Sequence, residues 1–191
     1  MNKEWAEMNK TLQLQIKKKD TFAMGIDTLL ELRRTLMELI MQFKNELSDT
    51  DFCAMPYINA KGYHSKTIAY SLWHIFRIED IVAHSLIAND EQILFVGDYQ
   101  SRIKSPIITT ANELEKEEIG EFSKKLSIEE LYNYIVDVDE STTRILKTLT
   151  YKDMKGKISD ERRKQLETLN VVSEDETQSL CLRSCIAKHR L

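Results

Sequence analysis

The chain has 191 residues, of which 42% are hydrophobic and 30% are charged, as is ordinary for one globular domain with its own core. Its net charge of -4 argues against a general nucleic-acid binder, and no run of 18 apolar residues is present that would cross a membrane. The charged, polar N-terminus lacks an apolar secretory core, so we expect a cytoplasmic protein.

The residue composition favours helix over sheet. Only five Gly and two Pro are present, whereas Leu, Glu, Lys and Ile are plentiful. The three cysteines are too few and too irregularly spaced for a disulfide framework, so we expect reduced thiols. The one dense basic run, Lys17–Lys19, is most simply a solvated helix end.

Apolar residues at three- and four-residue steps predict four principal helices, near residues 21–47, 65–88, 128–149 and 174–190. A short leading helix is expected over residues 3–18. Ser127 and Ser173 each stand three residues before a glutamate, which is the spacing of a capping box at the start of a helix.

The segments between these helices contain weaker signals. Thr110 and Glu113 have the spacing of a capping box for a short helix over residues 113–124. Gln92–Val96 is typical of a short extended piece, and a short polar helix is expected over Asp160–Leu169. No stretch alternates with a period of two for long enough to form a sheet.

The lengths of the connections predict how the helices are arranged. Turn formers interrupt residues 48–64, and this connection is short enough to pair the first two principal helices antiparallel. A helix of about 24 residues spans about 36 Å, and residues 89–127 are enough to run back along that length. We therefore expect an all-α fold with a single domain over residues 1–191. It would be a four-helix bundle of up-down-down-up order, with a long crossover between helices 2 and 3.

The helix over Thr67–Ile87 is apolar around most of its circumference, and the rest of the chain is organised around it. Its apolar seam follows three- and four-residue steps: Ile68, Leu72, Ile75, Val82 and Leu86. Three polar residues fall on another face, which is expected to face water: Arg77, Asp80 and His84. Its aromatic residues are expected in the core or at a dimer interface: Tyr70, Trp73 and Phe76.

Two polar residues of this helix do not fit the division into an apolar and a wet face. Glu79 falls inside the apolar seam, where a carboxylate needs a partner or a shifted pKa. We expect it to pair with Arg33, the one polar break in the apolar seam of the first long helix, and the simpler alternative is a carboxylate that reaches water. His74 falls at the edge of the seam, about 140° from Glu79, so the two are not expected to share a site. The residues alone favour a boundary histidine that is hydrogen-bonded to a neighbour.

The segment Leu72–Asp80, with the sequence LWHIFRIED, resembles the DinB/YfiT-like family of four-helix bundles. Thr21 and Phe22 at the start of the first long helix, and the order of the helices over residues 20–150, resemble it too. The resemblance implies a divalent metal (Zn, Ni, Fe or Mn) on three histidines, one from the second helix and an i, i+4 pair from the fourth. It assigns His74 as the second-helix ligand.

The same resemblance implies a function and partners. The family includes thiol S-transferases that use bacillithiol or mycothiol, and a maleylpyruvate isomerase, and its members are often homodimers. For this chain it implies a metal-dependent enzyme of the thiol S-transferase or hydrolase type. The expected partners are a second copy of the chain and a low-molecular-weight thiol, with no nucleic acid and no membrane.

The last helix departs from the family pattern, because it has no His-x-x-x-His pair. It ends in TQSLCLRSCIAKHRL, which is basic and typical of a diverged, truncated or frame-shifted end. Cys185 and His189 have the i, i+4 spacing of the missing pair, with Cys181 on the same face, and with His74 they would make a Cys-His-His site. The alternative is that the cysteines are small core residues and His189 is a terminal side chain. The second hypothesis is therefore a metal-free, non-catalytic helical protein, a dimeric binding or structural module.

Overall fold

A computed structural model describes residues 3–55, 57–59, 61–156 and 158–171. Within these ranges all regular secondary structure is helical and no strand is present, which confirms the all-α fold class. None of the helices found there is long and apolar enough to cross a lipid bilayer.

Nine α-helices occur in the described ranges: α1 (Lys3–Gln15), α2 (Phe22–Glu46), α3 (Asp49–Cys53), α4 (Ile68–Asp80), α5 (Ile93–Val96), α6 (Tyr99–Ile103), α7 (Glu117–Lys125), α8 (Ile128–Thr148) and α9 (Asp160–Thr168). A π-helix over Ile81–Ala88, called the π-segment below, continues α4 without a break. The predicted helix over residues 174–190, with Cys181, Cys185 and His189, lies outside the described residues.

The long helices lie where the apolar spacing predicts them. At the start of α8, Ser127 Oγ accepts a hydrogen bond from the backbone N–H of Glu130, as the capping spacing predicts. Thr67 Oγ1 accepts the backbone N–H of Tyr70 at the start of α4. The short polar helix expected over Asp160–Leu169 is α9.

Two local predictions for the long connection are wrong. The expected extended piece at Gln92–Val96 is the helix α5, because the Asp80 carboxylate accepts hydrogen bonds from its first two backbone N–H groups. The short helix expected from Glu113 begins only at Glu117. The Thr110 hydroxyl donates to the carbonyl of Asn170 and caps no helix.

The connection over residues 48–64 contains more structure than turn formers alone predict. Ser48 and Asp51 form a reciprocal capping box, in which each side chain accepts a hydrogen bond from the other residue's backbone N–H. This opens the single turn and a half of α3, and its Phe52 is buried. The segment therefore contributes to the core as well as reversing the chain.

Two hydrophobic clusters form the core. The first lies where α1, the first half of α2, the π-segment and α9 meet, and its members include Leu12, Ile16, Leu29, Val82 and Leu166. The second joins the end of α2 to α3, α4, α7 and α8, and includes Ile40, Phe52, Trp73, Phe122 and Ile135. The aromatic residues of α4 are buried in the second cluster, which settles them as core residues: Tyr70, Trp73 and Phe76.

Replacement of glycine by alanine is expected to have opposite effects on stability at two helical positions. A Cβ at Gly25 would lie 2.8 Å from Cγ2 of Ile16 and 3.1 Å from the backbone N of Ile16, where α1 ends against α2. A Cβ at Gly120 would meet only the end of the flexible Met55 side chain, at 3.3 Å. We expect Gly25→Ala to lower the free energy of unfolding by about 1–3 kcal/mol. Gly120→Ala is expected to raise it by up to about 1 kcal/mol, through helix propensity.

Urea unfolding of the two alanine variants beside the unaltered protein checks this pair. Since the substitution is the same in both, the helix-propensity gain is shared and the difference reports the packing of α1 on α2. Equal effects of both substitutions would contradict the close approach at Gly25.

Candidate functional site

His74 has one ring nitrogen fixed and the other free. Its half-buried ring stacks on Tyr70 with 5.7 Å between ring centroids, and its Nδ1 lies 2.8 Å from the carbonyl oxygen of Thr110. A carbonyl can only accept, so Nδ1 carries the proton and Nε2 of the neutral ring keeps its lone pair. Within the described residues Nε2 has no hydrogen-bond partner. The ring can therefore act as a base or a ligand through Nε2.

The environment of His74 favours this neutral form. Burial lowers the pKa of His74, and this outweighs the opposite effect of the hydrogen bond to Thr110. The ammonium of Lys66 lowers the pKa further by repulsion. At pH 7 the imidazole is therefore uncharged and its Nε2 can accept a proton or a metal ion.

Residues 108–111 run along α4, and their backbone carbonyls orient four of its side chains. Each of their four carbonyls accepts one hydrogen bond from α4: Ile108 from Arg77 (2.8 Å), Thr109 from Trp73 (3.1 Å), Thr110 from His74 (2.8 Å) and Ala111 from Tyr70 (3.1 Å). The left-handed backbone of Ala111, with φ of 65°, lies within this segment. The orientation of His74 is thus set by a row of contacts along the helix.

The 108–111 segment is also tied to the last described residues. The backbone N–H of Thr110 donates to the carbonyl of Leu169 at 3.2 Å, and its hydroxyl donates to the carbonyl of Asn170 at 2.6 Å. The Asn112 amide donates to the same Asn170 carbonyl at 2.7 Å. The chain therefore reaches residue 171 next to the segment that orients His74.

His74 lines a cavity of about 440 Å³ whose walls are mostly apolar. The apolar lining comes chiefly from α2 and α4: Leu29, Leu32, Leu36, Ile75, Phe76 and Ile78. Ile75, predicted to lie in the apolar seam, is 42% exposed, which corrects that assignment. Among the described residues, the charged lining consists of Arg33, Glu79 and Asp139.

The predicted pair of Glu79 and Arg33 is confirmed. Arg33 Nη2 lies 2.7 Å from Oε1 of Glu79, and both side chains are less than a tenth exposed. The same nitrogen lies 2.5 Å from Oδ1 of Asp139, so two carboxylates share one guanidinium. Burial raises the pKa of Asp139; Arg33 opposes this rise and Glu79 adds to it.

Asp139 is a site residue that the sequence analysis missed. It follows the buried Val138 on α8, and a charged residue beside an apolar seam is ordinarily a solvated one. The one available signal was the polar break at Arg33 in the apolar seam of α2, since a buried guanidinium can hold more than one carboxylate. Which residue of α8 faces Arg33 depends on how the two helices pack.

The predicted wet face of α4 is buried, which corrects that assignment. Arg77 and Asp80 are fully buried and His84 is 3% exposed, because residues 89–111 fold over them. In the described chain, the Asp80 carboxylate accepts four hydrogen bonds: from Arg77, Tyr134 and the backbone of Ile93 and Leu94. With its acceptor sites filled, Asp80 stabilises the structure and offers little to a ligand.

His84 belongs to the same buried region. Its Nδ1 lies 2.6 Å from Oδ1 of Asp90, just beyond the π-segment, and its Nε2 lies 4.0 Å from Oδ1 of Asp80. The contact with Asp90 connects the end of the π-segment to the residues that follow it. Neither contact brings His84 to the cavity that His74 lines.

The donor set for a metal is only partly within the described residues. No group of three or more His, Cys, Asp or Glu side chains there is placed to hold a metal ion. Glu79 and His74 line the same cavity, although their angular separation on the helix predicted no shared site. The anchored Nδ1 and free Nε2 of His74 fit one ligand of a metal. The other two predicted ligands, Cys185 and His189, lie outside the described residues.

Comparison with known proteins adds no assignment. No protein-family model matches this chain, and no curated protein matches it either.

Proposed function

We propose that the chain is a DinB/YfiT-like four-helix bundle of up-down-down-up order, with a divalent-metal site at His74. Its activity is of the thiol S-transferase or hydrolase type. The observation that carries this proposal is the imidazole of His74, held at Nδ1 by a backbone carbonyl and free at Nε2, at the wall of a cavity. Histidines that bind metals commonly have this arrangement, in which the second nitrogen donates to a carbonyl or carboxylate.

Cys185 and His189 are the proposed partners of His74 in the site. Thiolate and imidazole are both good ligands for Zn²⁺, and a spacing of four residues places two side chains on one face of a helix. Support for their proximity comes from residues 169–170, which are hydrogen-bonded to Thr110, the residue that holds His74. The described chain ends at Val171, beside the segment that orients His74, and the two proposed ligands come later in the sequence.

Each part of the cavity has a role in this proposal. A divalent metal would lower the pKa of a bound water or thiol and provide a nucleophile near neutral pH. His74 would bind the metal through Nε2, and the Thr110 carbonyl would keep the ring in the required tautomer and orientation. The apolar walls, with Leu29 and Phe76, would exclude water and receive the apolar part of a substrate.

A second candidate is a metal-free helical module that acts as a dimer. It is favoured by the missing His-x-x-x-His pair and by several exposed apolar side chains on α1, α2 and α4: Leu14, Met24, Leu39 and Ile75. Analytical ultracentrifugation at micromolar concentration tests the dimer, and a clean monomer would exclude it.

Metal analysis separates the two candidates. The protein is purified without a His-tag or chelator, beside His74→Ala and the matched control His64→Ala, which removes an exposed histidine. We expect about one metal ion per chain in the unaltered protein and the control. We expect none in His74→Ala, because a tetrahedral site that loses one protein ligand binds the metal much more weakly. Elemental analysis measures the content.

Two further results bear on the metal site. Cys185→Ser and His189→Ala are each expected to lower the metal content, and thiol transfer is expected to stop on treatment with a chelator. A metal-free unaltered protein, or equal metal in His74→Ala and His64→Ala, would reject the metal site and leave the second candidate.

A further inference from the structure

We propose that the cavity lined by His74 binds a primary amine with an apolar body. The inference rests on the proposed function in naming this amine as the substrate class. Binding is proposed for the metal-free cavity, in which no divalent ion at His74 offsets the charge of the carboxylates.

Among the described residues, the charged lining of the cavity carries one negative charge in excess. Arg33 contributes one positive charge, and Glu79 and Asp139 contribute two negative charges. Both carboxylates are bonded to the same Nη2, and Arg33 Nε is buried without a hydrogen-bond partner among the described residues. The guanidinium therefore balances one carboxylate, and a ligand with an ammonium group would balance the second. An anionic ligand would add to the excess of negative charge in the cavity.

Asp139 is the carboxylate that a ligand can reach. Its side chain is 25% exposed, against 8% for Glu79. It lines both the cavity and the adjoining groove between α2 and α8. Two other cations line that groove: Arg34 is already paired with Glu31 and Glu38, and Lys147 makes no ion pair with Asp139 among the described residues. Asp139 therefore keeps capacity for a cation.

The rest of the cavity suits an apolar body attached to the amine. Leu29, Leu32 and Phe76 form part of its wall, and a volume of about 440 Å³ is typical of sites for small molecules. The raised pKa of Asp139, caused first by burial, is consistent with a carboxylate that lacks a full partner. An ammonium beside it would supply charge-assisted hydrogen bonds at the charged part of the site.

The experiment compares three ligands of matched shape on the full chain. Chelator-treated protein is titrated calorimetrically at pH 7 with 2-phenylethylamine, 2-phenylethanol and 3-phenylpropanoate. We expect the amine to bind about tenfold more tightly than the alcohol, the effect of one charged hydrogen bond, and the carboxylate to bind most weakly. Asp139→Asn is expected to remove the preference for the amine.

Glu140→Gln is the matched control, since it removes the same charge from the next residue, whose side chain is 65% exposed. It is expected to leave the order of the three ligand affinities unchanged. The proposal is overturned if the alcohol or the carboxylate binds as tightly as the amine, if no ligand binds, or if Asp139→Asn keeps the preference. Should Asp139→Asn fail to fold, the order measured on the unaltered protein decides. Because a chelator is present, the result is independent of the metal analysis.

Discussion

Replacing Arg33 by methionine is expected to lower the free energy of unfolding by about 3–5 kcal/mol at pH 7, the cost of removing one partner from a buried ion pair. The substitution leaves Glu79 and Asp139 facing each other with no cation between them. Methionine keeps most of the side-chain volume, so the effect reports charge more than packing. Urea unfolding followed by circular dichroism measures it. Arg34→Met, which removes an exposed arginine one residue away, is expected to change stability by no more than about 0.5 kcal/mol.

The cost of Arg33→Met is expected to depend on pH in a definite direction. Burial raises the pKa of Asp139 even with Arg33 present, and removing Arg33 removes an influence that lowers it. The folded variant then binds a proton at a higher pH than the unfolded chain does. Stability is therefore lost as pH rises through the folded pKa and recovered as pH falls below it. A destabilisation that stays constant from pH 8 down to the ordinary pKa of an aspartate, 3.8, would contradict this account.

Replacing Asp80 by alanine is expected to cost about 3–5 kcal/mol as well. The substitution leaves Arg77 buried without its carboxylate and removes the acceptor for two backbone N–H groups of α5. The hydroxyl of Tyr134 also loses its acceptor. Burial and the negative charge of Asp80 raise the pKa of Tyr134, so this hydroxyl stays protonated and donates. Each group left unpaired adds a desolvation penalty.

A double-mutant cycle separates the ion pair from the rest of this network. Since Arg77→Met removes the charge that Asp80→Ala leaves uncompensated, the double variant is expected to cost less than the sum of the two single variants. Asp27→Ala, at an exposed position of α2, is the control and is expected to stay within about 0.5 kcal/mol of the unaltered protein. Simple additivity of Arg77→Met and Asp80→Ala would show that the pair contributes no coupling.

The sequence by itself determined three long helices and one long-range pair. The three- and four-residue spacing of apolar side chains placed α2, α4 and α8, because a helix that buries one stripe must repeat that stripe at its own period. The pair of Arg33 and Glu79 was predictable because each interrupts an apolar seam, and a buried charge requires an opposite one.

Only the tertiary structure decided which faces of these helices are covered. A helical wheel shows that Arg77 and Asp80 share a face, but it contains nothing about residues 89–111, which cover that face. The same applies to α5, which is a helix because Asp80 caps it from a distant part of the chain, and to Asp139, which meets Arg33 through the packing of α8 on α2. Periodicity is a property of one helix, whereas burial and ion pairing depend on a second segment whose position local sequence does not encode.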